Sequence, residues 1–336
     1  MKAFELVLPA SLEQALAELP EPARGRETAR ESVKLLAGGQ DLLGELKEHL
    51  VEPERVVDLK RIPGLERIEP APDGSIGIGA LATVAALGED AAVARGFAVL
   101  REAALSVASP QIRNVGTVGG NLCQRPRCWY YRHEKALCLK KGGSECFAHG
   151  GLNKYNAILG GGPSYIVHPS DLAPALVALG AEVTLRGKGG ERTLALERFF
   201  TLPSEGSVLR ENVLASDEIL TRVKLPAPPA GGWRSTYVKF KERGSYDFAL
   251  ASVALALSMQ GDTIREARLC LGGVAPIPWR VSAAEAALAG RKIDAEAARA
   301  AGEAALKGAE PLQHNAYKIP LAKALVAKAL LALAKA

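Results

Sequence analysis

Phe4 to Leu8 reads as a short strand, after which Ser11 caps an amphipathic helix with Leu12, Ala15, Leu16 and Leu19 on one face. Residues 20 to 32 are a polar connection. Val33 to Ala37 predicts a strand that runs through Gly38, Gly39, Gln40 and Asp41 into a helix over Leu42 to Leu50. Val56 to Leu59 and Ser75 to Ala80 predict further strands, and helical pattern follows from Leu81 to Leu87 and through Leu100 to Val107. Gln111 to Asn121 is a second glycine-rich turn. Asp171 opens a helix to Leu179, and Ala181 to Leu185 and Glu218 to Leu225 return as strands.

The run PAPPAGG at residues 226–232 is the clearest linker, and the pattern changes beyond it. Tyr237 to Lys241, Ala251 to Met259 and Ile264 to Leu271 predict three antiparallel strands. Two alanine-rich helices follow, around 283–308 and 320–335. Leu321, Leu325, Leu330 and Leu331 form a stripe broken by lysines, so the last helix is expected to cover one face of that sheet.

The two glycine turns carry the first chemical signal. Glycine accepts backbone angles that a side chain forbids, so Gly38–Gly39 and the segment Gly116, Thr117, Val118, Gly119, Gly120, Asn121 can turn backbone N–H groups toward a phosphate. Two such turns suit the two faces of a pyrophosphate. Neither matches the spaced three-glycine dinucleotide fingerprint or the P-loop, which disfavours a nicotinamide-binding domain or a nucleotide triphosphatase. An acid at a helix start, such as Asp171, is also what the helix dipole alone favours.

Composition narrows the class. At 336 residues the chain is long enough for two or three domains, and 48% hydrophobic with 24% charged residues is ordinary for a globular protein. The net charge of +5 is spread along the chain rather than blocked, a poor signature for nucleic acid. No uncharged apolar run is long enough to span a bilayer, and the start MKAFELVLPAS lacks a signal-peptide pattern. These point to the cytoplasm unless a partner carries an export signal.

Of five cysteines, Cys123, Cys128, Cys138 and Cys146 follow the second glycine turn, while Cys270 lies alone in an apolar strand. Four thiolates can hold zinc or an iron–sulfur cluster. The gaps of four, nine and seven residues contain no CxxC pair of the kind structural zinc prefers, and so permit a larger object. Arg125, Arg127, Arg132, Lys135, Lys140 and Lys141 would offset the negative charge of a thiolate-bound cluster. His133 and His149 could substitute as ligands, although a solvated loop histidine is the commoner case, and unligated thiols or a disulfide are the remaining readings of the cysteines. Trp129, Tyr130 and Tyr131 are expected to pack the loop or shield a cofactor.

The ordered segments LLAGGQDLL, VVDLKRIPGL, GSIGIGALATV, QIRNVGTVGGNL, HPSDLAPALVAL, FKERGSYDFALASVALAL, LGGVAPIPWR and HNAYKIPLAKALVAKAL cover nearly the whole chain. Together they resemble the FAD-binding subunit or domain of the molybdenum hydroxylases, the group containing xanthine dehydrogenase and carbon monoxide dehydrogenase. The stretch NLCQRPRCWYYRHE resembles the loop of a subset, including aldehyde oxidoreductases and hydroxybenzoyl-CoA reductase, that binds an additional 4Fe-4S cluster. The resemblance implies an α+β fold: a two-part FAD-binding domain over residues 1–226, with a small α/β and a larger mixed subdomain and an iron–sulfur insertion at about 122–150. A C-terminal flavoprotein domain over 227–336 follows, a three-stranded antiparallel sheet with helices. It places FAD on Ala37, Gly38, Gly39, Gln40 and Asp41 from one side and on Gly116, Thr117, Gly119, Gly120 and Asn121 from the other. Asp171 is implied near the ribityl chain or flavin ring, Lys241 beside the isoalloxazine, and Cys123, Cys128, Cys138 and Cys146 as the cluster ligands.

The implied function is an electron-transfer flavoprotein. Its partners are a large molybdenum-cofactor subunit and a small subunit with two 2Fe-2S clusters, in a heterotrimer, alone or dimerised. Electrons pass between those clusters, FAD and a terminal acceptor, or in the reverse direction as in hydroxybenzoyl-CoA reductase. The rival from another class is a noncatalytic assembly subunit whose cysteine loop is a zinc clip. A free-standing flavin oxidase finds no catalytic base or nucleophile constellation in the sequence.

Overall fold

The structure is a computed structural model that describes residues 1–21, 32–229 and 231–335; the predicted polar connection falls largely outside these. The first layer is a parallel sheet of β1 (Glu5–Val7), β2 (Val33–Leu36) and β3 (Arg55–Asp58), in the order β1-β3-β2. Ser11 accepts from the Gln14 amide and starts the helix Leu12–Ala17, which buries Ala15 and Leu16 as the apolar spacing requires. That helix and sheet share a small core, Leu16, Leu19, Val57 and Leu59, closed by Leu81 and Ile219 from the next layer.

The second layer is antiparallel: β4 (Ile68–Pro70), β5 (Ile76–Gly79), β6 (Glu182–Gly187), β7 (Gly190–Ala195) and β8 (Glu218–Leu225), ordered β4-β5-β8-β6-β7. Strand β7 is absent from the sequence reading. Its sequence GERTLA is almost wholly exposed at the sheet edge, so it carries no apolar alternation to betray it. Helices Val84–Glu89, Ala91–Gly96 and Ala98–Ser106 pack beneath, the first two started by Thr83 and Asp90 side chains that accept from helix amides. The second glycine-rich turn is itself largely helical, with Pro110–Val115 and Val118–Leu122 meeting at Gly116 and Thr117.

The third sheet has four strands where three were expected: β9 (Trp233–Phe240), β10 (Ala251–Gln260), β11 (Thr263–Gly272) and β12 (Trp279–Arg280), ordered β12-β11-β10-β9. The two residues of β12 pair with β11 and are too short to show a period. Val253, Leu255 and Leu257 face the C-terminal helices, and the expected cover by the last helix, Lys318–Ala332, is observed through Leu325, Val326, Ala329 and Leu330. Tyr237, Ala254 and Cys270 face the other way, into the core of the second layer. The helix anticipated near 283–308 is two, Ser282–Leu288 and Ala295–Ala305. Gly290 at φ +76 breaks it, and the Asp294 side chain restarts it by accepting from Ala297 N. Among the described residues, no helix is long and apolar enough to cross a membrane.

Candidate functional site

A cavity of about 570 Å³ runs between the first two layers, a size suited to a cofactor. Its walls include Ala37, Gly38, Gly39, Gln40 and Asp41 from the first turn, Gly116, Thr117, Gly119, Gly120 and Asn121 from the second, and Asp171. Residues from separate parts of the chain are thus brought to one surface. Lys241 is not among the lining residues; it lies beyond the end of β9.

The turns meet through their backbones. A Cβ on Gly38 would lie 2.1 Å from the Val115 carbonyl oxygen, and one on Gly119 would lie 2.9 Å from the Ala80 Cβ. Gly39 has φ +70, a left-handed conformation that side chains resist. The two turns offer different groups to a ligand. Among the described residues, the amides of Gly39, Gln40 and Asp41 have no acceptor within the chain, so they remain as donors on the cavity wall. In the second turn most amides are used internally: Gly116 N donates to Ile112 O at 2.7 Å, Val118 N to Ala82 O at 2.9 Å, Gly119 N to Ala80 O at 2.8 Å and Gly120 N to Thr117 Oγ1 at 3.2 Å, while the Thr117 amide has no acceptor among the described residues.

Asp41 begins the helix Leu42–Lys47 yet makes no side-chain cap. Its Oδ1 accepts from Arg127 Nη1 at 2.5 Å and Arg132 Nη2 at 2.7 Å, and its Oδ2 from the Arg125 amide at 2.6 Å. Burial opposes the carboxylate's charge, but the two guanidiniums outweigh it and hold the Asp41 pKa below its ordinary value. A carboxylate aimed at a pyrophosphate would repel it; here the charge is spent on arginines that also line the cavity. Tyr131 OH donates to the buried Glu45 at 2.8 Å, and Glu211 pairs with Arg125 at 2.9 Å and Lys140 at 2.6 Å. These contacts make the cysteine loop part of the cavity wall.

Asp171 likewise begins a helix, Leu172–Ala178, without capping it. Its oxygens accept from Tyr237 OH and Lys239 Nζ, both at 2.7 Å. Burial first, then the Asp171 charge, hold the Tyr237 phenol protonated well above its usual range. Lys239 and Tyr237 were missed in the sequence reading. Strand alternation puts residues 237, 239 and 241 on one side, but β9 ends at Phe240, so Lys239 is the lysine that reaches the site.

His168 lies nearby, with Nε2 donating to Leu122 O at 3.2 Å and Nδ1 accepting from Ser170 N at 3.4 Å. Burial depresses its pKa to about 4. Unfolded, the ring takes up its proton near 6.5, so its contribution to stability is complete above that pH and is lost as the pH falls toward 4. His168→Gln is expected to flatten the decline of urea stability across this window; an unchanged slope would assign the decline to other groups.

The cysteine loop departs from expectation. Among the described residues, no three Cys, His, Asp or Glu side chains are grouped so as to hold a metal ion, and Cys123, Cys128, Cys138 and Cys146 are free thiols. Cys123 ends the helix Val118–Leu122 on the cavity wall, where burial pushes its thiol up to about 12. Cys128 lies 3.7 Å from Asn156 Nδ2 and burial raises the Cys138 thiol above its ordinary range, whereas Cys146 lines an open cleft with Tyr130, Phe147 and His149. Cys123 lines the cavity next to the buried Leu122. The aromatic run packs the loop in part, through buried Tyr131 and the Tyr130–Phe147 contact, while Trp129 remains 55% exposed.

Residues 2–228 match the family described as FAD binding domain in molybdopterin dehydrogenase, and residues 235–333 match the CO dehydrogenase flavoprotein C-terminal domain. The chain is 37% identical over 300 residues to the aldehyde oxidoreductase FAD-binding subunit PaoB of Escherichia coli (strain K12), spanning 88% of this chain and 90% of that one. It is 32% identical to the carbon monoxide dehydrogenase medium chain of Hydrogenophaga pseudoflava, spanning 97% and 96%. Among solved structures it is similar to carbon monoxide dehydrogenase from Hydrogenophaga pseudoflava, with TM-score 0.74 and 29% identity over 97% of this chain and 96% of that one. It is also similar to reconstituted CO dehydrogenase from Oligotropha carboxidovorans, with TM-score 0.75 and 26% identity over 99% of each chain. Two matched domains spanning nearly the whole chain, and a split glycine clamp with open amides on a cofactor-sized cavity, lead to one conclusion: the chain belongs to the FAD-binding subunits of the molybdenum hydroxylase oxidoreductases, the family of carbon monoxide and xanthine dehydrogenases.

Proposed function

We propose that this subunit holds FAD in the cavity between its two glycine turns and passes electrons between the 2Fe-2S clusters of a small partner subunit and a terminal acceptor or donor. A large molybdenum-cofactor subunit would carry out the substrate chemistry, in a heterotrimer. The observation that carries this reading is the convergence of both turns and Asp171 on one cavity. Bound there, a flavin supplies a centre that accepts electrons singly and releases them as a pair. The chain binds and orients it. The amides of Gly39, Gln40 and Asp41 donate to phosphate oxygens, Arg127 and Arg132 add positive charge held in place by Asp41, and Leu81, Val107 and Ile219 exclude water from the apolar wall.

For the cysteine loop the proposal is a 4Fe-4S centre on Cys123, Cys128, Cys138 and Cys146, in a surrounding made cationic by Arg127, Arg132, Lys140 and Lys141. The thiols must draw together for it to form. The chemistry of soft thiolates among cations supports the reading.

Two measurements test these assignments. The purified chain, saturated with FAD and desalted, is expected to retain yellow flavin absorbance at one equivalent; loss of all flavin would overturn the FAD assignment. Anaerobic metal analysis is expected to return roughly four irons and matching sulfide per chain. Stoichiometric zinc without iron would make the loop a structural clip, and an absence of both would leave it a metal-free wall of the flavin cavity.

A further inference from the structure

Asp171 is buried and lines the cavity, whereas the two groups that hold it, Tyr237 and Lys239, do not line it. We infer that Lys239 and Tyr237 are positioning residues that keep Asp171 as a fixed hydrogen-bond acceptor facing the bound flavin. This deepens the FAD reading and rests on it.

Three observations carry the inference. Asp171 stands at a helix start and declines the bond usual there, since its side chain accepts from no helix amide. Its two oxygens instead take one donor each from β9, with the Lys239 and Asp171 side chains 4% and 5% exposed. Both donors are tied to the helix Ala98–Ser106: Lys239 Nζ also donates to Ser106 O at 3.1 Å, and Tyr237 N donates to Glu102 Oε2 at 2.6 Å. The carboxylate is thus held at two points and cannot swing. An ionised carboxylate has about four acceptor positions, so two remain for a ligand. A flavin offers matching donors, the ribityl hydroxyls and a ring N–H. A buried ion pair adds little to stability compared with apolar side chains of similar size, so one placed against a cofactor cavity is better explained by what it presents to that cavity.

The charged and titratable groups around Asp171 are Lys239 and Tyr237 on β9, Glu102 on the Ala98–Ser106 helix, Cys270 on β11 beside Tyr237, and His168, neutral, in its own segment. With Lys239 removed, the Asp171 carboxylate loses one of its two anchors and can turn away from the cavity.

The test measures FAD dissociation constants of the apoprotein by quenching of flavin fluorescence. Lys239→Met should bind roughly tenfold more weakly than the wild type, as the loss of a hydrogen bond to a charged group requires. Lys239→Arg should restore the affinity, Tyr237→Phe should weaken binding by a smaller factor, and Lys239→Met with Asp171→Asn should bind no more weakly than Asp171→Asn alone. A Lys239→Met protein with wild-type affinity, or one not rescued by arginine, or additive losses in the double variant, would overturn the assignment. Failure of the wild type to bind FAD would overturn the functional reading as well, which separates the two.

Discussion

Replacing Gly38 with alanine is expected to lower FAD affinity by about a hundredfold or more while leaving most secondary structure intact. The added Cβ would sit 2.1 Å from the Val115 carbonyl oxygen, a backbone atom that cannot rotate away, so the two turns must separate. Forcing a well-packed contact apart costs about 3 kcal/mol, and that cost falls on the geometry the cavity needs. Gly150→Ala is the control, since a Cβ there meets nothing within 4 Å. Circular dichroism checks the fold and a fluorescence titration checks the affinity. If the Gly38 variant retains full affinity, the turns do not act as a clamp.

Asp41→Ala is expected to destabilise the protein more than it perturbs any single contact with the cofactor. The substitution strands two guanidiniums, Arg127 and Arg132, whose side chains are 27% and 14% exposed. Removing one partner of a largely buried pair costs about 3 kcal/mol, taken at the low end because these arginines keep some solvent. For a chain of 336 residues that corresponds to a fall of about 4 °C in melting temperature. The loop should loosen with it, so Cys128 and Cys146 should react faster with a thiol reagent. Asp41 titrates below its ordinary 3.8 in the fold, so its contribution is present above that value and is lost as the pH falls through the depressed one. The wild type should therefore lose its advantage over the variant under acid. Equal melting temperatures at neutral pH would show that the arginines find other partners.

These two residues bracket what could be read in advance. Gly38 was recognisable because a glycine pair between an apolar strand and a helix start has few uses, and its steric role is local. Asp41 was recognisable as part of the site, but its side chain joins an ion cluster with residues 84 or more positions away in the chain, which neighbouring residues do not show. The strands β10 and β11 followed from alternation within a residue or so of the observed limits, and the last helix followed from its leucine stripe. Strands β7 and β12 did not, one being an exposed edge and the other two residues long.

The sequence by itself determined the glycine turns, the acids at the two helix starts, the apolar periods that build the layers, and the position of the cysteines along the chain. These are consequences of local backbone preference and of side-chain period, both of which are written in neighbouring residues. Only the tertiary structure decided where each polar side chain points: Asp41 to arginines of the cysteine loop, Asp171 to Lys239 and Tyr237, and Cys123 onto the cavity wall. The physical reason is that a buried charge or donor takes whichever partner packing brings within about 3 Å, and that choice depends on strand ends and layer contacts far away in the chain.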